Sequence, residues 1–510
     1  MTEEEKTSAS SRLFWIALVL CGVAALLTLA WPKRVTEVVK LVTGAIFDAA
    51  GGVFLASVSL LLLVCIALAV SPFGKVRLGA PDSKPEFSTI SWLSMLFAAG
   101  MGTGLVVWGV AEPMYHFINP PSGVGATPEA AAQAFLITNY HWGIHAWAIY
   151  CVGALTLAYF SFVRGGAYLP STPIRLGFAG AWTKPVGAAA DLLAILAVTF
   201  GVAGSIAMGT LLVHAGLHNV FGVPARSLAV DVVILSVLFV AYMASATTGL
   251  KQGIRILSNI NMAIAVLLIV ALVFIGSTAT LLGDFFGILF DYALGIVPLS
   301  LDLTPFDASP DWIKDWSLIY FVWWIAWTPF VGTFIARISK GRTVREFVVG
   351  VLLCPTLFSV FWFAVMGGVA MELHLGGQDL AGPMKSDLMG LVYPVLELLP
   401  LSSLLGLVVT VLTFVFLVTS VDSATFVLGM LSSGGDLNPS TRRKLSWGIV
   451  LGLLGAGFAF LADVDIIKMM TIAGAIPFLV ILALQTVALV KALMEDRRLG
   501  RHEGGGGGEA

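Results

Sequence analysis

Charge is scarce in this 510-residue sequence, where Asp, Glu, Lys and Arg together supply only 11%. A soluble protein of this length carries about 25%. With 58% hydrophobic residues and a mean hydropathy of +0.95, the chain has more apolar surface than soluble cores can hide. The bilayer is therefore its solvent. Net charge of one sign is also lacking, and the formal value of −2 argues against nucleic acid as a partner. Cysteine is rare: Cys21, Cys65, Cys151 and Cys354 stand singly in apolar runs, with neither zinc-like nor redox spacing. No disulfide framework is expected, and the four read as small packing residues. Paired catalytic carboxylates, a metal cluster and a nucleotide loop are missing too, which argues against an enzyme. Residues 1–12 are polar, and no small-residue cleavage site follows the first apolar run. That run reads as a retained helix and not a signal peptide. The glycine-rich stretch 501–510 is expected to be disordered.

Long apolar runs are what the sequence has in abundance. They fall near 13–31, 52–73, 89–117, 131–163, 186–217, 228–246, 256–281, 313–336, 344–373, 401–433, 444–464 and 466–493, and a span needs about 20 residues. The expected fold is thus an all-α integral membrane protein of twelve transmembrane helices, both termini on one side. Sorted by loop, 21 of the 28 lysines and arginines share one side, led by Arg337, Lys340, Arg342 and Arg345 between the eighth and ninth runs. The positive-inside rule makes that side cytoplasmic. On the other side, 283–311 is acidic, with Asp284, Asp291, Asp302, Asp307 and Asp311. Its apolar stretch 285–297 is too short to span easily, and predicts an amphipathic helix on the outer surface.

Two runs contain helix breakers. The third reads FAAGMGTGL over 97–105, with Gly100, Gly102 and Gly104, each weakening a helix by roughly 1 kcal/mol relative to alanine. Freed backbone groups are tolerated in a membrane where they line a cavity, so this stretch reads as an unwound ion- and substrate-binding segment. The spacing of Gly100 and Gly104 equally fits a small-residue packing face. In the eighth, WWIAWTPFVG over 323–332, Pro329 removes a donor and predicts a second break. Five spans separate the two, and interrupted helices at corresponding places in two halves point to a transport site.

Aromatic residues cluster in the middle of the same spans. HWGIHAWAIY over 141–150 holds Trp142, Trp147 and Tyr150, and the eighth run holds Trp323, Trp324 and Trp327. Tryptophan normally marks the membrane interface. Mid-span, such rings suit a quaternary-ammonium cage, at about 0.5–2 kcal/mol per cation contact, or serve as bulky packing. His141 and His145 have an i,i+4 metal spacing, but no carboxylate or third ligand accompanies them in the sequence, and hydrogen bonding between helices is the preferred role. Glu112 and Asp422 read as intramembrane ionisable groups or as caps at span ends. Thr419 and Ser420 are adjacent hydroxyls, suited to back-bonding or to ligating a hard cation such as sodium.

MGTGL at 101–105, AEP at 111–113, HWGIHAW at 141–147, WWIAWTPFVG at 323–332 and ARISKGRTVRE at 336–346 together closely resemble the betaine/choline/carnitine transporter family, over essentially the whole chain. The resemblance implies two lead helices (13–88), then two inverted five-helix repeats of the LeuT type (89–281 and 313–493). A linker with a surface helix (282–312) would join them, with cytoplasmic ends at 1–12 and 494–510, in a homotrimer in the cell's inner membrane. It places Trp142, Trp147, Tyr150, Trp323, Trp324 and Trp327 around the substrate's cationic head. Met101, Gly102, Thr103 and Gly104 would lie against its other end. Sodium, the implied coupling ion, would be held by Ala98, Met101, Phe416, Thr419 and Ser420; no other cofactor is implied. Sodium-independent carnitine exchangers of the family lose the glycine stretch and carry an arginine at the position of Asn261, which favours a sodium symporter here. Choline-type members tend to carry aspartate at the position of Gly104, so a neutral glycine suits a zwitterion such as glycine betaine. Thr103 stands where a bulkier aliphatic residue is usual, and Gly204 where a second sodium site would need a hydroxyl. Osmosensing members carry long charged termini, and the short tail 491–510 puts that regulation in question here. Rival readings are a proton-coupled symporter or an exchanger of choline, carnitine or a sulfonium analogue, and an osmotically gated channel or sensor.

Overall fold

The computed structural model describes residues 3–100, 102–248, 251–461 and 463–499, with side chains described from 10 onward except 97–100, 247–248 and 251–257. The glycine-rich tail lies outside the described residues. The chain runs as α1 (Glu3–Ala30), α2 (Pro32–Val70), α3 (Thr89–Gly100), α4 (Thr103–Ile118), α5 (Pro128–Trp142), α6 (Ile144–Phe162), α7 (Ser171–Gly177), α8 (Thr183–Phe221), α9 (Leu228–Thr248) and α10 (Lys251–Ile275). It continues through α11 (Thr278–Leu301), α12 (Pro310–Ile313), α13 (Ile319–Ile338), α14 (Val344–Leu375), α15 (Ala381–Ser386), α16 (Val392–Glu397), α17 (Ser402–Leu431), α18 (Thr441–Ala459), α19 (Val464–Ala473) and α20 (Phe478–Arg498). In hydrocarbon every backbone N–H must find its partner within the protein, which is why a chain this apolar resolves into helices.

Eleven helices among the described residues are long and apolar enough to cross a membrane, and the chain is a multi-pass membrane protein. Ten of them coincide with runs expected from the sequence. The third run is absent from that set because it is cut at Gly102 into α3 and α4, each too short. The eleventh, α18, opens on Arg442, Arg443 and Lys444. The added member is α11. It was expected as a short surface helix over 285–297, but it runs 24 residues, straight through Asp284 and Pro298, or about 36 Å. Leu281, Ile288, Tyr292 and Leu299 turn inward, while Phe286, Phe290, Leu294 and Val297 stay exposed. The final helix also exceeds expectation, reaching Arg498 inside the stretch read as tail.

Burial separates the helices into a centre and a surround. In the 18-residue apolar stretches within Pro128–Phe162 and Pro310–Ile338, 94% and 83% of residues are buried, against 11% within Thr278–Leu301. α13 packs along α6 and α8, and α17 along α8 and α4. Exposed apolar residues such as Leu41, Leu60, Leu63 and Val70 of α2 fit a lipid-facing surface. On the basic-loop side, 76–78 and 341–344 zip together. Leu78 N–H donates to the Arg342 carbonyl (2.8 Å), Val344 N–H to that of Val76 (2.8 Å), and the Arg77 guanidinium to that of Gly341 (2.6 Å). Gly341 lies at φ +80° with the Lys84 carbonyl against it, a place for glycine alone. Thr343 and Glu346 form a capping box that starts α14.

The breaks fall differently from the sequence expectation. The third span is interrupted, with Gly102 extended (φ −157°, ψ −177°) ahead of α4. The eighth is not: α13 continues through Pro329. The Thr328 and Thr333 hydroxyls bond the carbonyls of Trp324 and Pro329 around it (2.9 and 2.7 Å), and the tightly packed neighbours hold the helix together. The irregularity of that span lies earlier, in a π-helical turn at Lys314–Leu318. The run expected at 466–493 is instead divided between α19 and α20 by 474–477.

A further kink divides α5 from α6 at Gly143 (φ −96°, ψ −142°). It leaves the N–H of Ile144 out of the helical ladder, and the hydroxyl of Tyr292 on α11 accepts it at 2.7 Å. A Cβ on residue 143 would lie 2.2 Å from that hydroxyl and 2.5 Å from the Asn139 carbonyl. Gly143→Ala is therefore expected to destabilise the protein by about 1–3 kcal/mol through overpacking. Gly287→Ala on α11, with open space around its Cβ, should be neutral. Thermal unfolding of the two variants in detergent checks this; equal melting temperatures would refute the account of the kink.

Candidate transport site

The helix break at Gly102 and the kink at Gly143 lie side by side. A Cβ on Gly104 would touch the Trp142 ring at 3.3 Å, so the glycine segment abuts the aromatic motif of α5 and α6. No side chain caps the start of α4, whose first amides lack intrahelical partners. Just past the break, the Trp362 indole of α14 donates to the Leu105 carbonyl (2.9 Å) and pins α4 in place.

Trp324 is the hub of the ring cluster. Its centroid lies 4.7 Å from Tyr150, 5.7 Å from Trp147 and 5.8 Å from Trp142, and Trp147 lies 5.5 Å from Tyr150. All four rings are buried and turn into the protein, not toward lipid. The other two tryptophans of α13 are not in ring contact with these four. Trp323 neighbours Tyr320 at 6.1 Å, and Trp327 packs on Phe330 (5.4 Å) and against Gly201 of α8. The structure thus brings together three aromatics of α5 and α6 with one of α13. Two polar atoms in this region are buried without a partner, the indole nitrogen of Trp147 and the hydroxyl of Thr103, as is the Trp327 indole nitrogen beside Gly201.

Of the residues assigned to sodium, Met101 lies outside the described residues, and Ala98 is described only as part of the α3 backbone. Phe416, Thr419 and Ser420 lie on α17, which packs against α4. Thr419 Oγ1 back-bonds to the carbonyls of Val415 and Phe416 (3.0 and 3.2 Å), leaving its lone pairs for other partners. Opposite Gly204, where the sequence lacks a hydroxyl, stands the hydroxyl of Thr471 on α19.

Glu112, read from the sequence as an intramembrane ionisable group or a cap, is fully buried, and what the linear pattern did not disclose is what it meets. Its carboxylate accepts the Trp142 indole N–H and the His141 Nδ1–H, both at 2.6 Å. His141 Nε2 meets the Ser317 hydroxyl at 2.8 Å, and its ring stacks on Tyr320 at 4.8 Å. The expectation that His141 has no carboxylate beside it is thereby corrected: Glu112 lies 29 residues earlier in the chain, on a different helix. His145 parts from His141 and bonds Ser300 (2.8 Å). Glu112, His116 and His141 offer three ligand atoms within 4.8 Å of one another. A cation already attends this pocket, for the Lys468 ammonium sits 4.3 Å from the Trp316 ring that His116 also contacts. That, and the direct Glu112–His141 bond, disfavour a divalent metal. The only sequence clue to the kink was Gly143 within the aromatic motif, and Tyr292 left none.

The model of the betaine/carnitine/choline transporter family matches residues 12–498. The chain belongs to this family. Family members are transporters and not enzymes. The chain is similar to a glycine betaine transporter, OpuD, of Bacillus subtilis, with 39% identity over 490 residues, covering 96% of this chain and 95% of that protein. An ectoine/hydroxyectoine transporter of Virgibacillus pantothenticus is 34% identical over 97% of this chain and 98% of its own length. A high-affinity choline transport protein of Escherichia coli is 34% identical, over 88% of this chain and 67% of its own length.

Proposed function

We propose that this protein is a secondary active transporter that imports a quaternary-ammonium or related onium solute, glycine betaine foremost, by sodium symport. The observation that carries the reading is the convergence of Trp324 with Trp142, Trp147 and Tyr150 beside the broken glycine segment. A trimethylammonium group cannot donate conventional hydrogen bonds, and aromatic faces attract it at about 0.5–2 kcal/mol each. The unpartnered indole N–H of Trp147 and the Thr103 hydroxyl supply donors for a carboxylate, which supports a zwitterion. The names of the relatives agree with this substrate class.

In the proposed cycle, sodium binds between the third and tenth spans at Ala98, Met101, Phe416, Thr419 and Ser420 and stabilises the unwound segment. Substrate then docks among the rings with its other end at 101–104, and the helix bundle rocks to release both inward. One net positive charge crossing 100 mV yields about 2.3 kcal/mol, roughly fiftyfold accumulation. The proposed frame is twelve spans, two lead helices followed by inverted five-helix repeats of the LeuT type, in a homotrimer of the inner membrane with cytoplasmic termini. A proton-coupled symporter or exchanger is the second reading, favoured by the buried Glu112–His141 pair in contact with a box ring.

Uptake of radiolabelled glycine betaine into proteoliposomes tests the coupling. Accumulation is expected with an inward sodium gradient and not without one; equal uptake in both, or dependence on a proton gradient alone, would defeat sodium symport. Trp324→Leu is expected to abolish uptake while leaving a folded protein, and an unchanged apparent affinity in that variant would show the cage to be misassigned.

A further inference from the structure

The carboxylate of Glu112 is the junction through which the parts of the ring cluster are connected. It stands on α4, nine residues past the start of that helix at the break. One oxygen takes the indole N–H of Trp142, at the last residue of α5, and the other takes His141. His141 in turn bonds Ser317 in the π-helical turn that leads into α13 and Trp324. The Trp142 indole N–H can only donate, so one Glu112 oxygen is an acceptor, and the His141 ring spans from the other oxygen to the Ser317 hydroxyl with one nitrogen on each. Bonds of 2.6 Å from N–H groups to a buried carboxylate belong to the strong, charge-assisted class.

Two consequences reach the box. Trp142 is held at one rotational setting, its ring edge against Gly104 and its centroid 5.5–5.8 Å from those of Tyr320, Trp324 and Phe363. Donation of the indole N–H to an anion also shifts electron density toward the ring, since hydrogen-bonded groups polarise one another in a low dielectric. A ring enriched in this way attracts a cation more strongly over its face. We propose that Glu112 is a positioning residue of the onium box, fixing the Trp142 ring and raising the cation affinity of its face without touching the substrate itself. This rests on the reading of the ring cluster as an onium site.

The test is a double-mutant cycle on the full-length purified protein, with glycine betaine affinity read by isothermal titration calorimetry and folding by thermal unfolding. Glu112→Gln removes the charge and Trp142→Phe removes the indole N–H. Each is expected to weaken binding about tenfold, and the pair together no more than either alone, because both act through one bond. Glu112→Asp, which keeps the charge but withdraws the oxygens from the indole, should weaken binding similarly and serves if Glu112→Gln does not fold. A merely structural Glu112 would lower the melting temperature without this non-additivity. Full additivity in the double variant, about a hundredfold loss, or unchanged affinity in a folded Glu112 variant, overturns the proposal. If the wild-type protein binds no onium compound at all, the onium reading itself falls and this inference with it.

Discussion

Everything in this fold depends on one constraint: within hydrocarbon, a backbone N–H or C=O that leaves the helical ladder must find a partner inside the protein. The departures from regular helix are few, and those nearest the centre are individually accommodated. At Gly143 the freed amide of Ile144 goes to Tyr292, on a helix about 150 residues later in the chain. At Pro329, which removes the donor to the Ile325 carbonyl, α13 runs on unbroken among tightly packed neighbours. At Gly102 the chain is fully extended, and the indole of Trp362 fastens the new helix a turn later. Among the described residues, the irregular backbone at Gly102 and Gly143 lies where other helices enclose it, which is also where a polar solute could be handled.

The electrostatics follow the same logic. Aromatic faces can be buried in a membrane protein without the desolvation cost of a carboxylate, and still present negative potential to a cation. Where a carboxylate is buried, as at Glu112, both oxygens are occupied by N–H donors, which is the condition for burying charge at all. Lys468 obeys the same rule in the opposite sense. Its nearly inaccessible ammonium pairs with Asp465 at 2.9 Å and lies on the Trp316 ring. Anion, rings and ammonium therefore form a layered polar core on one flank of the ring cluster.

Much of this was legible along the chain. Hydropathy marked ten of the eleven candidate spans, because a twenty-residue apolar requirement is a property of sequence alone. The glycine run at 100–104 announced its break, since glycine's weak helix propensity acts locally. Pro329 misled, because its effect is decided by what surrounds the helix. The breaks at Gly143 and 474–477 were missed for the complementary reason. The length of α11 was underestimated because Asp284 and Pro298 look like terminators until packing against α5 and α14 carries the helix past them.

What the sequence by itself determined is the class of molecule: helices across a membrane, a family membership written in a few dense motifs, and a supply of mid-span rings. Periodicity and composition suffice for these because they act over short distances along the chain. Only the tertiary structure decided that Trp324, and not its neighbours Trp323 or Trp327, meets the rings of α5 and α6, and that Glu112 reaches Trp142 and His141. Adjacent residues on a helix point about 100° apart, and which direction faces a partner is set by the packing of whole helices. No local pattern encodes that choice.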